Sequence, residues 1–203
     1  MGAGFSQIKL KTNLRTAQQR IKLVRSKRIN EIRAERKAVA DMVSSAYKDR
    51  LARTTVARLS PFHAQLAAKA FDKARIRVES VIRKQREMAA EEILELMVDL
   101  LLERISLISS EKTMPADISE TVQTVVWASS RTQIDELKAV EEQLLLRYGP
   151  QITKEQKGGG RRVNADVESR LVSAPPTEAE KLAEFESIAR EYEVRRGRVG
   201  GLC

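Results

Sequence analysis

The sequence predicts an all-α protein, and three observations lead to that prediction. Of the 203 residues, 42% are hydrophobic and 32% are charged, which suffices for one substantial core. Only 4% are aromatic, with 9 glycines and 5 prolines, whereas alanine, glutamate, lysine, leucine and arginine are abundant. Apolar residues also recur at spacings of three and four, which is typical of helices.

Charge is distributed unevenly along the chain. Residues 1–89 contain 22 basic and 7 acidic side chains, whereas the remaining residues contain 15 and 21. The basic half is expected to attract phosphate-rich surfaces, and composition alone does not separate nucleic acid from anionic lipid. The single cysteine, Cys203, has no partner for an internal disulfide, which favours a reducing, cytoplasmic compartment.

The first predicted helix is basic along one side. Its apolar or small residues have a four-three spacing at Leu10, Leu14, Ala17, Ile21 and Val24. Beside this stripe lies a basic sector formed by Lys11, Arg15, Lys22, Arg25, Arg33 and Arg36. Basic residues outnumber acidic ones ten to three between Leu10 and Ser45. This face is therefore predicted to bind an anionic membrane or an acidic partner rather than only to keep the helix in solution.

The second predicted helix runs from Pro61 to about Ser109, after Ser60 as its N-cap. Its most apolar stretch, EEILELMVDLLLERISLI, starts at Glu91 and has an acidic residue on almost every turn. Each would cost about 2.5 to 3.5 kcal/mol near the centre of a bilayer, so a membrane span is excluded. The apolar face covers about 200° of the helix and is predicted to form a bundle core that includes Leu96, Leu100 and Leu101.

Four further helices, one of them a short helix from Asn164 to Leu171, and a tail are predicted after Pro115. Two shorter helices are separated at Ser129 and Ser130, and Trp127 packs in the core. Gly149 and Pro150 are expected to end the second of them. The last helix, from Thr177 to Val194, has six acidic and two basic residues and is predicted to fold back through Leu182, Phe185 and Tyr192.

These elements define predicted boundaries. A flexible N-terminus covers residues 1–9, and a helical core covers residues 10–148. A flexible linker covers residues 149–162, and a short helix plus the fold-back helix occupy residues 163–194. Residues 195–203 are expected to be disordered.

No catalytic arrangement is recognisable in the sequence. With one histidine and one cysteine, neither a Cys/His metal cluster nor a Cys-His dyad is expected. No nucleophile elbow or phosphate-binding glycine loop occurs either. The prediction is a non-enzymatic protein without a metal or a cofactor, whose function lies in its surfaces.

Several separated stretches resemble the increased sodium tolerance family of ESCRT-III-like proteins. They are NLRTAQQRIKLVRSKR, KARIRVESVIRKQ, EILELMVDLLLERISLI, ETVQTVVWASSR, DELKAVEEQLLLRYG and VNADVESRLVSAPP, and the likeness runs from about Gly4 to Val194. The resemblance implies an ESCRT-III-like helical bundle with a long hairpin of the first two helices, shorter packed helices and a C-terminal helix that folds back. Residues 51–72 look like an insertion at the hairpin turn.

The resemblance also implies a function and assigns residues to it. Family members act in endosomal sorting, multivesicular body formation and membrane scission. They co-assemble with charged multivesicular body proteins on membranes and regulate the AAA ATPase of the pathway. This implies a cytoplasmic protein that is peripheral on endosomal membranes. The family's ARIRVE motif corresponds to residues 74–79. The implied assembly surface consists of Arg75, Arg77, Glu79 and Arg83, and the tryptophan motif contains Trp127, Ala128 and Arg131.

One departure from the family concerns the ATPase. Family members commonly carry a proline-rich extension whose helical motifs bind it, and these 203 residues contain no such extension. Direct ATPase binding is therefore not expected from this segment. Two alternatives to a polymer subunit stay open: a soluble helical regulator that binds a partner without polymerising, and a nucleic-acid-binding helical protein. The second has no recognisable recognition motif or aromatic stacking stripe.

Overall fold

A computed structural model of the chain describes residues 4–54, 61–157, 160, 162–172 and 174–192. Seven α-helices and no strand occur in these ranges, which confirms the all-α class. The helices are α1 (Gln7–Thr54), α2 (Pro61–Glu103), α3 (Ile105–Ser110), α4 (Ala116–Ser129), α5 (Glu136–Lys157), α6 (Ala165–Leu171) and α7 (Glu178–Glu191).

The helices form two compact units, and both long helices contribute to each. The first unit comprises Met1–Arg28 and Arg86–Ser173, and the second comprises Ile29–Gln85 and Ala174–Cys203. In the first unit, the start of α1 and the end of α2 share one core with α3 to α6. In the second, the remaining parts of α1 and α2 share a smaller core with α7.

The core of the first unit is built from the predicted apolar stripe of α1. Leu10, Leu14, Ala17 and Ile21 are fully buried, as the four-three spacing requires when one face of a helix is covered. The facing side chains of α2 to α6 are mostly aliphatic. They include Leu94, Val98, Leu101, Ile105, Ile108, Ile118, Val122, Leu137, Leu144 and Val167.

The predicted second helix is interrupted at one residue. Arg104, with φ −89° and ψ 9°, separates α2 from α3. Its N–H still donates to the Leu100 carbonyl at 3.0 Å, and its own carbonyl accepts from Ile108 at 2.9 Å. Helical hydrogen bonding therefore continues across the break, and Ile105 and Ile108 remain in the core.

Helix α5 continues through Gly149 and Pro150 to Lys157, so the prediction that these residues end the helix is wrong. Pro150 lacks the N–H that would donate to the Leu146 carbonyl. Leu146 and Pro150 are both exposed, and water can satisfy that carbonyl. Tyr148 and Ile152 are buried in the core on either side of the proline, and their packing maintains the helix. Of the predicted linker 149–162, residues 158, 159 and 161 lie outside the described residues.

The N-terminal residues pack against α5, which corrects the predicted flexible segment for residues 4–9. The Ser6 N–H donates to Gln143 Oε1 at 3.1 Å. The Phe5 ring lies 5.0 Å from the guanidinium carbon of Arg147, a cation–π distance. Helix α1 follows at Gln7.

Polar side chains of α4 hold the chain where it returns after α5. Gln123 Oε1 accepts from the Arg162 N–H at 3.0 Å, and Thr124 Oγ1 accepts from the Asn164 N–H at 2.9 Å. The Asn164 side chain then caps α6 by accepting from the Val167 N–H at 3.2 Å. These bonds explain why α4 buries the polar side chains of Gln123 and Thr124, because each satisfies a backbone N–H.

Two predicted segments fall partly or wholly outside the described residues. The predicted insertion at 51–72 contains residues 55–60, which are not described, between the helical backbone of α1 and that of α2. The predicted disordered tail at 195–203 also lies outside, together with residues 193 and 194 of the predicted last helix.

Candidate functional site

Carboxylates of α2 face basic side chains of α1 in the first unit. Lys22 lies 3.6 Å from Glu95, and Arg25 lies 3.2 Å from Glu92 and also contacts Glu95. Glu92 and Glu95 of the apolar α2 stretch therefore have their counter-ions on α1. Their charges are largely balanced within the molecule.

Arg28 makes the most buried of these ion pairs. Its Nη2 lies 2.8 Å from Glu91 Oε1, with side-chain exposures of 8% for Arg28 and 2% for Glu91, and Arg28 also contacts Glu87. Burial raises the pKa of the Glu91 carboxyl, and the hydrogen bond from Arg28 acts in the opposite direction. A pair so withdrawn from water has a structural role in the α1–α2 contact.

The six basic residues predicted to bind anions divide into two groups. Lys22, Arg25 and Arg36 are in ion pairs with carboxylates of other helices. The other three, Lys11, Arg15 and Arg33, are exposed. The salt bridges found among the described residues involve none of these three.

The start of α1 therefore presents a basic surface to solvent. We define the N-terminal basic surface as Lys9, Lys11 and Arg15, which are all exposed. The first acidic residue in the sequence is Glu31, so no neighbouring carboxylate along this part of the helix cancels the charge. Such a surface attracts anionic groups with about 1 kcal/mol per Lys or Arg near an anionic membrane.

In the second unit, α7 packs on an apolar floor formed by α1 and α2. We name this floor the α7 groove; its buried residues are Val39, Ala40, Ala74, Val78 and Ile82. Ile188 of α7 is buried against it, and Phe185 and Tyr192 are partly buried. Leu182, predicted to dock with them, is 61% exposed because it lies on another side of α7. That part of the prediction is wrong.

Arg36 is the polar centre of the α7 contact. It contacts Glu184, lies 2.6 Å from Glu191 and donates to Ser187 Oγ at 3.0 Å. The side chains of Arg36 and Glu184 are each only 12% exposed, so water screens their attraction weakly. Gln85 of α2 adds a hydrogen bond to Glu184 at 3.2 Å. Arg36 is thus occupied by the chain's own carboxylates.

The ARIRVE motif also contacts α7. Its small and apolar members Ala74 and Val78 line the groove, as given above. Arg75 pairs with Glu178, and Glu79 lies 3.1 Å from Lys181 and 3.1 Å from Arg83. Arg77 is exposed. Glu79 raises the pKa of the Lys181 ammonium group, as expected for an ion pair. Arg75 and Glu79, two of the four residues assigned to assembly, therefore also contact the tail helix.

The predicted core residues of the first unit are not equally buried. Leu101 is fully buried and Leu100 is half-buried, whereas Leu96 is 67% exposed and is not a core residue. The apolar face of α2 is wider than the surface that its neighbours cover, and Leu96 lies on the uncovered side. Trp127 is partly buried, and the Arg131 guanidinium stacks over its ring at 4.3 Å.

Sequence reasoning missed the polar residues of α7. The prediction for this helix named only apolar and aromatic side chains, although Glu178, Lys181, Glu184 and Glu191 make ion pairs with the groove. A signal was present, because Glu178, Lys181 and Glu184 alternate in charge at a spacing of three. Their partners lie far away in sequence, so local pattern alone could not identify them.

Two searches of the described residues bear on other classes of site. No group of His, Cys, Asp or Glu side chains among them is placed to hold a metal ion. No helix in the described ranges is both long and apolar enough to cross a membrane. The arrangement offers charged and apolar surfaces for binding.

Comparison with known proteins identifies the family. Residues 62–195 match the Ist1 family, described as regulator of Vps4 activity in the MVB pathway. The chain belongs to the Ist1 family. The increased sodium tolerance resemblance found in the sequence refers to this same family.

Two individual relatives support and limit this assignment. An IST1-like protein of Dictyostelium discoideum is 29% identical over 194 residues, which are 95% of this chain and 46% of that protein. The chain thus spans about half the length of this relative. The crystallised S. cerevisiae Ist1 N-terminal domain, in complex with a Did2 MIM motif, has a TM-score of 0.75 and 20% identity over 100% of both chains. The predicted ESCRT-III-like fold is thereby confirmed.

Proposed function

We propose that this chain is a non-enzymatic ESCRT-III-like subunit that regulates Vps4 in the multivesicular body pathway. It would act in endosomal sorting and membrane scission by co-assembling with charged multivesicular body proteins at the endosomal membrane. Membership of the Ist1 family over residues 62–195 carries this proposal. The S. cerevisiae domain bound to a Did2 MIM motif supports a partner of that kind.

The N-terminal basic surface is the proposed contact with anionic membrane or with an acidic partner subunit. Lys11 and Arg15 point to solvent and make no ion pair with the described residues, so binding them to an external anion breaks nothing inside the protein. Several weak charges acting together give an attraction that falls with salt, since the Debye length shortens from about 10 Å at 0.1 M to about 3 Å at 1 M.

Docked α7 is proposed to hold the protein in a closed resting state. The helix occupies Arg36 with Glu184 and Glu191, so this cation is withheld from external anions while α7 is bound. Deletion of residues 175–203 should therefore increase assembly or membrane binding. A truncated protein that stays monomeric and binds membranes like the full chain would contradict the closed-state proposal.

Co-sedimentation with liposomes tests the proposed surface. The informative variant is K11E/R15E, because changing Lys22, Arg25 or Arg36 would also break ion pairs within the protein. The matched control is K112E/K154E, with the same change in net charge at two exposed lysines of the first unit. Wild type and the control should pellet with anionic liposomes at 0.1 M NaCl, and K11E/R15E should stay in the supernatant. Equal binding of all three would exclude the surface.

Adding a charged multivesicular body protein and imaging by negative stain tests co-assembly. Coated tubules that require both the partner and anionic lipid would support the polymer function. A one-to-one complex that forms in solution without filaments would favour the soluble-regulator alternative. Duplex DNA at matched salt is a third arm, in which tighter binding to DNA than to liposomes would contradict the membrane function.

A further inference from the structure

Charged residues alternate along the contact between α7 and its groove. On α7, the residues Glu178, Lys181 and Glu184 follow one another at a spacing of three. Each faces an opposite charge: Glu178 faces Arg75, Lys181 faces Glu79, and Glu184 faces Arg36. The helix therefore presents an acidic, basic, acidic series to a basic, acidic, basic series.

Apolar packing alone does not define one position for α7. The three groove-facing residues Phe185, Ile188 and Tyr192 are spaced by three and four. A slip of one helical turn would place Ile188 where Phe185 lies, or Tyr192 where Ile188 lies. The valine, alanine and isoleucine side chains of the groove offer no polar group that would favour one of these arrangements.

The charges distinguish these positions. A slip of three residues in one direction would put Lys181 against Arg75 and Glu184 against Glu79. The same slip in the other direction would put Glu178 against Glu79 and Lys181 against Arg36. Both slips replace opposite charges by like charges at two sites, and the penalty is largest at the less exposed positions Glu79 and Arg36.

We propose that Glu79 and Lys181 determine the register and the specificity of the α7 groove. The groove selects an amphipathic helix with acidic, basic and acidic residues at a spacing of three, ahead of an aromatic residue. The middle pair discriminates because it inverts the sign of its neighbours, and Lys181 is only 14% exposed. This inference deepens the closed state proposed above; it rests on the docking of α7 and not on any inhibitory effect of that docking.

Charge reversal tests the proposal, with three variants and a control. K181E and E79K each create like-charge contacts and should lower the ratio of docked to undocked α7 by about tenfold, which corresponds to ~1.4 kcal/mol. In the combined variant E79K/K181E, three acidic residues of α7 lie opposite three basic residues of the groove, so docking should return. The control R190E makes the same charge change as K181E on the opposite, exposed side of α7, and should dock like wild type.

Register is measured by a distance between two spin labels in the second unit. Cysteines replace the exposed residues Lys73 and Ala183 in a Cys203→Ser background, and pulsed electron paramagnetic resonance gives the distance distribution. Wild type should show one narrow distance. E79K/K181E should show additional distances displaced by up to about 5 Å, the rise of one helical turn, because a slip no longer creates like-charge pairs.

The outcomes separate the possibilities. Docking of K181E at the wild-type level would overturn the proposal, as would a failure of E79K/K181E to dock. A single wild-type distance in E79K/K181E would show that apolar packing sets the register and would also overturn it. Liposome binding is measured in parallel. If K181E undocks without binding membranes better, the closed-state function fails while the role of Glu79 and Lys181 stands.

Discussion

The two units of the molecule use arginine ion pairs with different partners. In the first unit, Arg28 is paired with Glu91 and Glu87 of α2, a helix whose neighbouring residues form the core. In the second unit, Arg36 is paired with Glu184 and Glu191 of α7, a helix of 14 residues near the end of the described chain. The same chemistry is therefore structural in one unit and dependent on the docking of a single helix in the other.

The largest effect on stability is expected for the buried ion pair of the first unit. Arg28→Met would leave Glu91, which is 2% exposed, without its counter-ion, at a cost of about 3 to 5 kcal/mol in unfolding free energy. Without Arg28, burial raises the pKa of Glu91 further above the ordinary value of 4.5. In the variant, Glu91 therefore ionises at a lower pH in the unfolded state than in the folded state. Stability that is present below pH 4.5 is lost as the pH rises through the pKa of Glu91 in the folded state.

Urea denaturation at pH 5 and pH 8 checks this prediction. The deficit of Arg28→Met relative to wild type should be larger at pH 8. Arg28→Met combined with Glu91→Leu should recover most of the loss, because no buried charge then remains unpaired. An equal deficit at both pH values would show that lost packing, not the stranded carboxylate, is the cause.

An intermediate effect is expected at the α7 contact. Ile188 is 2% exposed, and Ile188→Ala removes aliphatic packing worth about 2 kcal/mol or more. Because the side chain belongs to the smaller core, the loss should appear as undocking of α7, about thirtyfold in the docking equilibrium. Hydrogen exchange should accelerate in α7 while the Leu94 and Val98 amides of the first unit keep their protection. Loss of protection in both regions would contradict the difference between the units.

A smaller effect is expected from salt. Raising NaCl from 0.1 M to 1 M screens partly exposed pairs such as Arg36 with Glu191, where Glu191 is 47% exposed. The Arg28 and Glu91 pair is shielded from solvent and should respond less. Amide exchange in α7 should therefore increase severalfold, with no matching change around Glu91. Equal salt sensitivity of amide exchange in α7 and around Glu91 would contradict the difference between the two units.

The smallest effect is expected at Arg75. Its pair with Glu178 is more than half exposed on both sides, so Arg75→Ala should leave α7 docking unchanged within error. The hydrogen bond from Arg75 lowers the pKa of Glu178, and in the variant this pKa should return toward its ordinary value. An NMR titration detects that change. A strong loss of docking would mean that the outer pair, rather than Glu79 with Lys181, dominates.

Local periodicity was sufficient to predict much of the fold. Leu10, Leu14 and Ile21 lie on one face of α1 whatever the neighbours are, and all are buried. Pro150 was misread because its effect on α5 depends on the packing of Tyr148 and Ile152, which involves residues far away in the sequence. The prediction that Leu96 is a core residue was wrong for a similar reason. The sequence shows the width of an apolar face but not how much of that face is covered by neighbouring helices.

The candidate site was harder to predict than the fold. Lys11 and Lys22 look equivalent on a helical wheel, and they differ only because Glu95, more than seventy positions from Lys22, reaches one and not the other. The contact between Arg36 and Glu184 joins residues 148 positions apart. Charge composition therefore indicated a basic face, but only the three-dimensional structure separates the cations paired internally from those available to a partner.

The short connection between α6 and α7 limits how far α7 can move from the end of α6 after release. Only residues 172–176 separate the end of α6 at Leu171 from the α7 cap at Thr177, and fully extended they span at most about 18 Å. A helix on so short a tether meets its groove at an effective concentration in the millimolar range. A competing segment of equal intrinsic affinity must reach a similar concentration to displace it. Local clustering on a membrane or in a filament, rather than bulk abundance, provides that concentration.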